Sequence, residues 1–296
     1  MTLADLAADT AVNPDGPGRY RIDLPDHWDY LLPSGGVVMT CALRAAEAEV
    51  ADATYRLASS TTIFASPIHP GPLGVDVHVI RRGASAVQTR VVLRHLQEKD
   101  GEPGLELIAT FLRHRKGPDV LAVPFPRVKS VTEARPMDDG TAKSPHTRWR
   151  FYHQLECRLA DGEPFWEPQF AAGPGFYARW LRYRVPQRDS EGNFDRLALP
   201  PLIDTMPTAL HRAIGPGSYR FHAPSLDLTV YSIDDTRREW VLVAVTLKRA
   251  NGGFAVAEAE VWDDEGRFIA YGTQAMYLHT LSGEPPTVDA SDRFRR

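Results

Sequence analysis

Cysteine is scarce. The 296-residue chain has two, Cys41 and Cys157, far apart and outside any CxxC or Cys/His cluster. That excludes a zinc ribbon and argues against a disulfide scaffold; two reduced, buried thiols are the expectation. Long apolar runs are also missing, and none approaches the ~18 residues of a membrane helix. Residues 1–13 carry Asp5 and Asp9 and no basic stretch. No signal peptide and no membrane partner are expected, and the chain reads as cytoplasmic. Positive charge is not in excess: Lys and Arg total 34 against 38 Asp and Glu, a net charge of −4. Domains devoted to the nucleic-acid backbone are usually basic, so no nucleic-acid partner is expected. There is no GxSxG elbow, no Walker A motif and no HExxH. Gly173-Pro174-Gly175 lacks the third glycine of a dinucleotide site, and His69, His78, His95 and His114 lack metal-ligand spacing. No metal and no redox cofactor are implied.

What is present is ordinary globular material, 43% hydrophobic and 24% charged, with length for a full-sized core. Strand patterns dominate. Residues 75–82 alternate, with Val75, Val77 and Val79 on one face and Asp76, His78 and Ile80 on the other. Flanking runs at 54–67, 84–96 and 105–114, the last after the turn Lys99-Asp100-Gly101, complete an antiparallel meander. Ahead of them Ser34, a candidate N-cap, leads through Gly35-Gly36 into Val37, Val38, Met39, Ala42, Leu43 and Ala46, a helix pattern. Residues 115–146 hold Pro118, Pro124, Pro126, Pro136 and Pro145 with little periodicity, and read as a linker. The order then repeats. Strands are expected at 149–159 and 176–185, a helix at 197–213, and strands at 225–233, 240–249, 254–262 and 268–279. Asp264-Glu265-Gly266 turns between the last two.

An offset of 167 positions superposes the two halves. Pro33 meets Pro200, Met39 meets Met206, Leu43 meets Leu210, and Thr62-Ile63-Phe64 meets Thr229-Val230-Tyr231. Arg81-Arg82 meets Lys248-Arg249, solvated strand ends by type. A two-residue slip pairs Ala109-Thr110-Phe111 with Gln274-Ala275-Met276. The chain is therefore expected to be a tandem duplication: an N-terminal unit over 1–114, a Pro-rich linker over 115–148 and a C-terminal unit over 149–296. At three aligned places the first copy is apolar and the second polar: Val37 against Asp204, Ala58 against Ser225, and Ala109 against Gln274. Taken singly, each polar residue has a plainer use as a cap or a strand-edge group. Three together in apolar elements suggest mutual partners, because a buried polar group is costly when unpaired.

These residues, in this order, resemble the double-hotdog acyl-CoA thioesterases of the thioesterase II (TesB-like) branch. The first-copy marks are Gly35-Gly36, Ser66-Pro67 followed by Pro70-Gly71, and Arg82-Gly83-Ala84-Ser85. The second-copy marks are Asp204, Ser225-Leu226-Asp227-Leu228, Gly266-Arg267 and Thr273-Gln274. The resemblance implies an α+β tandem (double) hotdog, each long helix wrapped by an antiparallel β-sheet. It implies a hydrolase of fatty-acid metabolism that splits acyl-CoA, and it allows a homodimer of such double units. The family's catalytic Asp, Thr or Ser, and Gln fall on Asp204, Ser225 and Gln274, and its oxyanion and thioester-binding role falls on Gly35 and Gly36.

That residue set suits the chemistry. Thioester hydrolysis needs a positioned water, a base for its proton and donors for the oxyanion. Asp204 can take the proton, and Ser225 and Gln274 can orient the water without an acyl-enzyme. One alternative is a non-catalytic acyl-CoA or acyl-carrier-protein binding protein on the same scaffold. Another is an enoyl-CoA hydratase, which needs a histidine beside the acid; His211 is the nearest on that helix. Trp28, Trp240 and Trp262 read as core or interface.

Overall fold

The computed structural model describes residues 3–97, 102–138, 144, 148–167 and 170–287. The expected turn Lys99-Asp100-Gly101 lies outside them. Helix α1 (Leu6–Asp9) and strands β1 (Asn13–Pro14) and β2 (Arg19–Leu24) open the chain. The long helix α2 (Gly35–Val50) follows, then β3 (Tyr55–Phe64), β4 (Gly71–Arg82), β5 (Ala86–His95) and β6 (Leu105–Arg113). The second half begins with β7 (Arg135–Pro136), a helical turn α3 (Arg150–His153), β8 (Leu155–Asp161) and β9 (Phe176–Tyr183). Two short helices come next, α4 (Leu199–Ile203) and α5 (Pro207–Ile214). Strands β10 (Arg220–His222), β11 (Ser225–Ser232), β12 (Val241–Asn251), β13 (Phe254–Asp263), β14 (Phe268–Tyr277) and β15 (His279–Ser282) complete it. The strand expected from residue 149 starts later, because Arg150–His153 is helical.

One antiparallel sheet of thirteen strands carries both halves. Outward from the β3–β11 junction the order is β3-β6-β5-β4-β2 on one side and β11-β14-β13-β12-β9 on the other. The succession is the same in both directions. β3 and β11 pair antiparallel from Ser59 against Tyr231 to Ile63 against Asp227. Alternating apolar residues turn inward along the strands and bury α2, whose residues from Gly36 to Ala46 are nearly all in the core. Each large apolar side chain so buried contributes about 1.5–3 kcal/mol.

The ladders correct the sequence offset. Ala58 and Leu226 are skipped by their ladders, and so are Ile80 and Lys248. These bulges superpose at an offset of 168, Ala58 onto Leu226, not 167. Thr62 faces inward as Val230 does, whereas Thr229 faces the other side. Leu57 pairs with Phe111 as Ser225 pairs with Met276, so the first-half counterpart of Ser225 is Leu57, not Ala58. Ser60 pairs with Ala109 as Leu228 pairs with Gln274, which keeps Ala109 opposite Gln274 as expected. The contrast of apolar with polar survives the shift.

The helix expected over 197–213 is broken. Its first turn, residues 196–198, is a 3-10 turn, and residues 204–206 separate α4 from α5. Pro207 has no N–H to return to the carbonyl of Ile203, and it opens α5 at the position where proline is tolerated. The Pro-rich segment is exposed from 115 to 125 and is anchored to the sheet beyond that. Trp180 Nε1 donates to Lys129 O at 2.8 Å, Phe125 lies edge-on to Trp262 at 5.4 Å, and Val128 and Val131 pack on a second apolar cluster around Trp180 and Trp262. Trp28 is in the main core, and Trp240 packs on the second cluster. Arg82 donates to the Val50 carbonyl at the end of α2, while Lys248 pairs with Glu258. Cys41 and Cys157 are buried free thiols, each pushed up to about 12 by burial.

The two halves approach closely at the start of α2. A Cβ on Gly36 would lie 2.4 Å from Pro200 O and 2.5 Å from Pro201 Cα. Both are backbone atoms and cannot swing aside. Gly36→Ala is expected to destabilise the protein by about 1–3 kcal/mol, read from its urea unfolding midpoint. An unchanged midpoint would show that the approach is looser.

Candidate functional site

The break after α4 leaves Asp204 at the C-cap of that helix, aimed at the start of α2. Asp204 is 8% exposed, and its carboxylate accepts four hydrogen bonds. Oδ2 takes Gly36 N–H at 2.8 Å and Ser34 Oγ at 3.0 Å, both from the first half. Oδ1 takes Ser225 Oγ at 2.9 Å and Gln274 Nε2 at 2.5 Å, both from the second. Gln274 Nε2 also donates to Ser225 Oγ at 2.7 Å, which closes a triangle. The sequence-predicted trio Asp204, Ser225 and Gln274 is thus brought together. Position 225 opens β11 just before the Leu226 bulge, and Gln274 points inward from the adjacent β14.

The glycines divide. Gly36 N–H is taken by Asp204, so it has no bond left for a ligand. Gly35 lines the cavity beside Asp204, and no acceptor for its N–H occurs among the described residues. The sequence reading missed the hydroxyl of Ser34. It stands at the N-cap position but makes no cap bond to its own helix; it turns to Asp204 instead. Its place beside Gly35-Gly36 was the one available signal. Asp227 lies outside the triangle and accepts Ala275 N–H at 2.9 Å.

Two family models match the sequence. The acyl-CoA thioesterase N-terminal domain matches residues 24–113 and the acyl-CoA thioesterase C-terminal domain matches 130–278. The chain belongs to the acyl-CoA thioesterase family. It is a thioester hydrolase. No curated protein matches it. Among solved structures it is similar to a Novosphingobium aromaticivorans protein provisionally termed a thioesterase, with 24% identity over 92% of this chain and 99% of that one and a TM-score of 0.74. An Alicyclobacillus acidocaldarius protein of unknown function with a hot dog fold shares 18% identity over 95% and 98%, with a TM-score of 0.78. An acyl-CoA thioesterase II from Mycobacterium marinum shares 18% over 95% and 100%, with a TM-score of 0.72. These likenesses show a fold of the hotdog type.

In this thioesterase a cavity of about 800 Å³ opens beside the triangle. Ser34, Gly35, Asp204, Thr205 and Ser225 are among its polar lining residues, and Phe64, Trp149, Phe165 and Phe221 are among its apolar ones. Gln274 is 1% exposed and stands behind Asp204 and Ser225, with Oε1 unpartnered. His211 does not meet Asp204. It is stacked between Phe165 and Phe221, at 4.8 and 4.5 Å, and burial pushes its imidazole down to about 4, with Arg220 adding to the effect. Among the described residues no histidine pairs with Asp204, so the mark of the hydratase reading is not formed at this acid. Among the described residues no three His, Cys, Asp or Glu side chains are grouped to hold a metal, and no helix is long and apolar enough to cross a membrane.

Burial raises the carboxyl pKa of Asp204, and the bonds from Gly36, Ser225, Ser34 and Gln274 only partly offset that rise. A folded-state pKa above the unfolded one means that folding favours the protonated acid. The contribution to stability is then full below the unfolded value and is lost as pH rises through the folded one. Relative to Asp204→Asn, the parent should therefore lose stability as pH is raised from about 4 to about 8. Urea unfolding across that range measures it; a parent that gains stability relative to the variant would contradict the direction.

Proposed function

We infer that the protein hydrolyses acyl-CoA thioesters by direct attack of a water activated at Asp204, on a tandem hotdog scaffold. The mirrored strand order about the β3–β11 junction supports the tandem reading. In that reading an N-terminal unit over 1–114 and a C-terminal unit over 149–296 each wrap a helix, with 115–148 between them.

The observation that carries the function is the convergence of Ser225 and Gln274 on one oxygen of a buried carboxylate at a cavity wall. The attacking water sits against Asp204 Oδ1, oriented by Ser225 Oγ. As its oxygen bonds to the thioester carbon, its proton passes to Asp204. The carbonyl oxygen becomes an oxyanion at Gly35 N–H, where the N-terminal end of α2 favours negative charge. The carbon–sulfur bond then breaks, and the coenzyme A thiolate takes the proton back from Asp204. The acid leaves as the carboxylic product. Gln274, out of the cavity, fixes Asp204 and Ser225 relative to each other. In this reading Ser225 orients the water and is not the nucleophile, so no acyl-enzyme forms. The apolar walls suit an acyl group.

Asp204→Asn is expected to lower kcat/KM by about 10²- to 10⁴-fold, with Gln274→Ala intermediate, in a free-thiol assay over a series of acyl-CoA chain lengths. In the parent, kcat/KM should fall with decreasing pH, with a midpoint above the ordinary aspartate value of about 3.9. Acyl-CoA binding without thiol release by the parent would favour the binding-protein alternative. Full activity in Asp204→Asn would remove the base from this mechanism.

A further inference from the structure

Strand β9 buries a charge that the hydrolysis described above does not use. Arg179 is 1% exposed, yet its guanidinium forms no ion pair with any carboxylate among the described residues. Its hydrogen bonds all go to neutral acceptors. Nη1 donates to Tyr152 Oη at 3.1 Å, and Nη2 donates to Thr205 Oγ1 at 2.5 Å and to Thr205 O at 3.3 Å. Nε has no partner. The Tyr177 ring, 5.6 Å from Cζ, is its one aromatic neighbour of this kind among the described residues; a buried cation with no carboxylate is costly, so its retention calls for a use.

The first half shows what that use is. Tyr20 of β2 pairs with Val75, and Arg179 pairs with Val243; the offset of 168 makes Val75 and Val243 equivalent. Arg179 therefore stands where the first half has Tyr20. The hydroxyl of Tyr20 donates to Glu49, near the end of an unbroken helix. Opposite Arg179 the helix is broken, and Thr205 is the middle residue of the break. Thr205 Oγ1 donates back to Leu202 O at 2.7 Å, and Thr205 O accepts Thr208 Oγ1 at 2.8 Å. Thr205 thus ties the end of α4 to the start of α5, and Arg179 holds Thr205. The residue bonded to it on the other side is Asp204.

We propose that Arg179 is a positioning residue for thioester hydrolysis, pinning the 204–206 turn so that the Asp204 carboxylate stands between Gly36 and Ser225. The proposal rests on Asp204 as the base. Arg179 does not line the cavity and does not touch Asp204. It acts through one peptide unit, where an error of an ångström in the base costs about a hundredfold in rate.

The test compares Arg179→Met and Arg179→Lys with the parent by kcat and KM, after circular dichroism has shown each to be folded. Arg179→Met should lose about tenfold to a hundredfold in kcat, with KM within about threefold of the parent. Arg179→Lys should recover part of the loss, because it keeps the charge and one donor but not the fork. A folded Arg179→Met with parental kcat, or with KM alone raised, would overturn the proposal, even if its melting temperature fell. Should Arg179→Met not fold, Thr205→Val removes the acceptor hydroxyl at nearly constant shape; a similar loss of kcat supports the role, and parental kcat overturns it. Asp204→Asn run alongside separates the two levels. Hydrolysis surviving in Asp204→Asn overturns the base and the positioning role together. Hydrolysis lost there but parental in Arg179→Met overturns the positioning role alone.

Discussion

A single carboxylate, buried and shared between the two halves of the chain, organises this molecule. Asp204 belongs to the second half, but one of its oxygens is satisfied wholly by Ser34 and Gly36 of the first. Neither half alone can solvate it. A buried anion without donors is far more costly than one with four. The close approach of Gly36 to the Pro200 and Pro201 backbone follows from the same requirement, since a side chain at that position would push Asp204 away from the α2 amide. The two halves thus divide the labour. One half offers an intact helix N-terminus, and the other offers the acid, the hydroxyl and the amide.

The second half departs from the first to make room for this. Its helix is interrupted where the first is continuous, and the interruption turns Asp204 toward the junction. An unbroken helix there would continue the backbone hydrogen bonds past Ile203 and carry the carboxylate elsewhere. The break leaves polar groups that need partners, and Thr205, Thr208 and Arg179 supply them. Burial around Asp204 also raises its proton affinity, which moves it toward the range in which a base works near neutral pH.

Much of this was legible in the sequence, and the exceptions have physical reasons. Alternation of apolar residues located the long strands, because a strand buried on one face must alternate. The contrast of Ala109 with Gln274 was read correctly, since the slip behind it falls in a turn. The pairing of Ser225 with Ala58 was one residue out. The bulges at Ala58 and Leu226 coincide only at an offset of 168, and the offset of 167 read from the helix residues does not carry over to the strands. Pro200, Pro201 and Pro207 announced the helix break, but apolar spacing on either side of it still fits one helix. Ser34 looked like a cap because serine before a helix usually is one; only the fold brings Asp204 within its reach. Arg179 gave no signal beyond its place in an apolar strand, where an arginine commonly faces solvent.

The most direct measurement is a crystal structure with an acyl-CoA analogue whose thioester sulfur is replaced by methylene, which keeps the carbonyl but cannot be hydrolysed. The carbonyl oxygen should accept a hydrogen bond from Gly35 N–H, and the carbonyl carbon should face Asp204 Oδ1 and Ser225 Oγ. A carbonyl bound in another part of the cavity, with Asp204 still enclosed by its four donors and unapproached, would contradict a hydrolytic centre at this carboxylate.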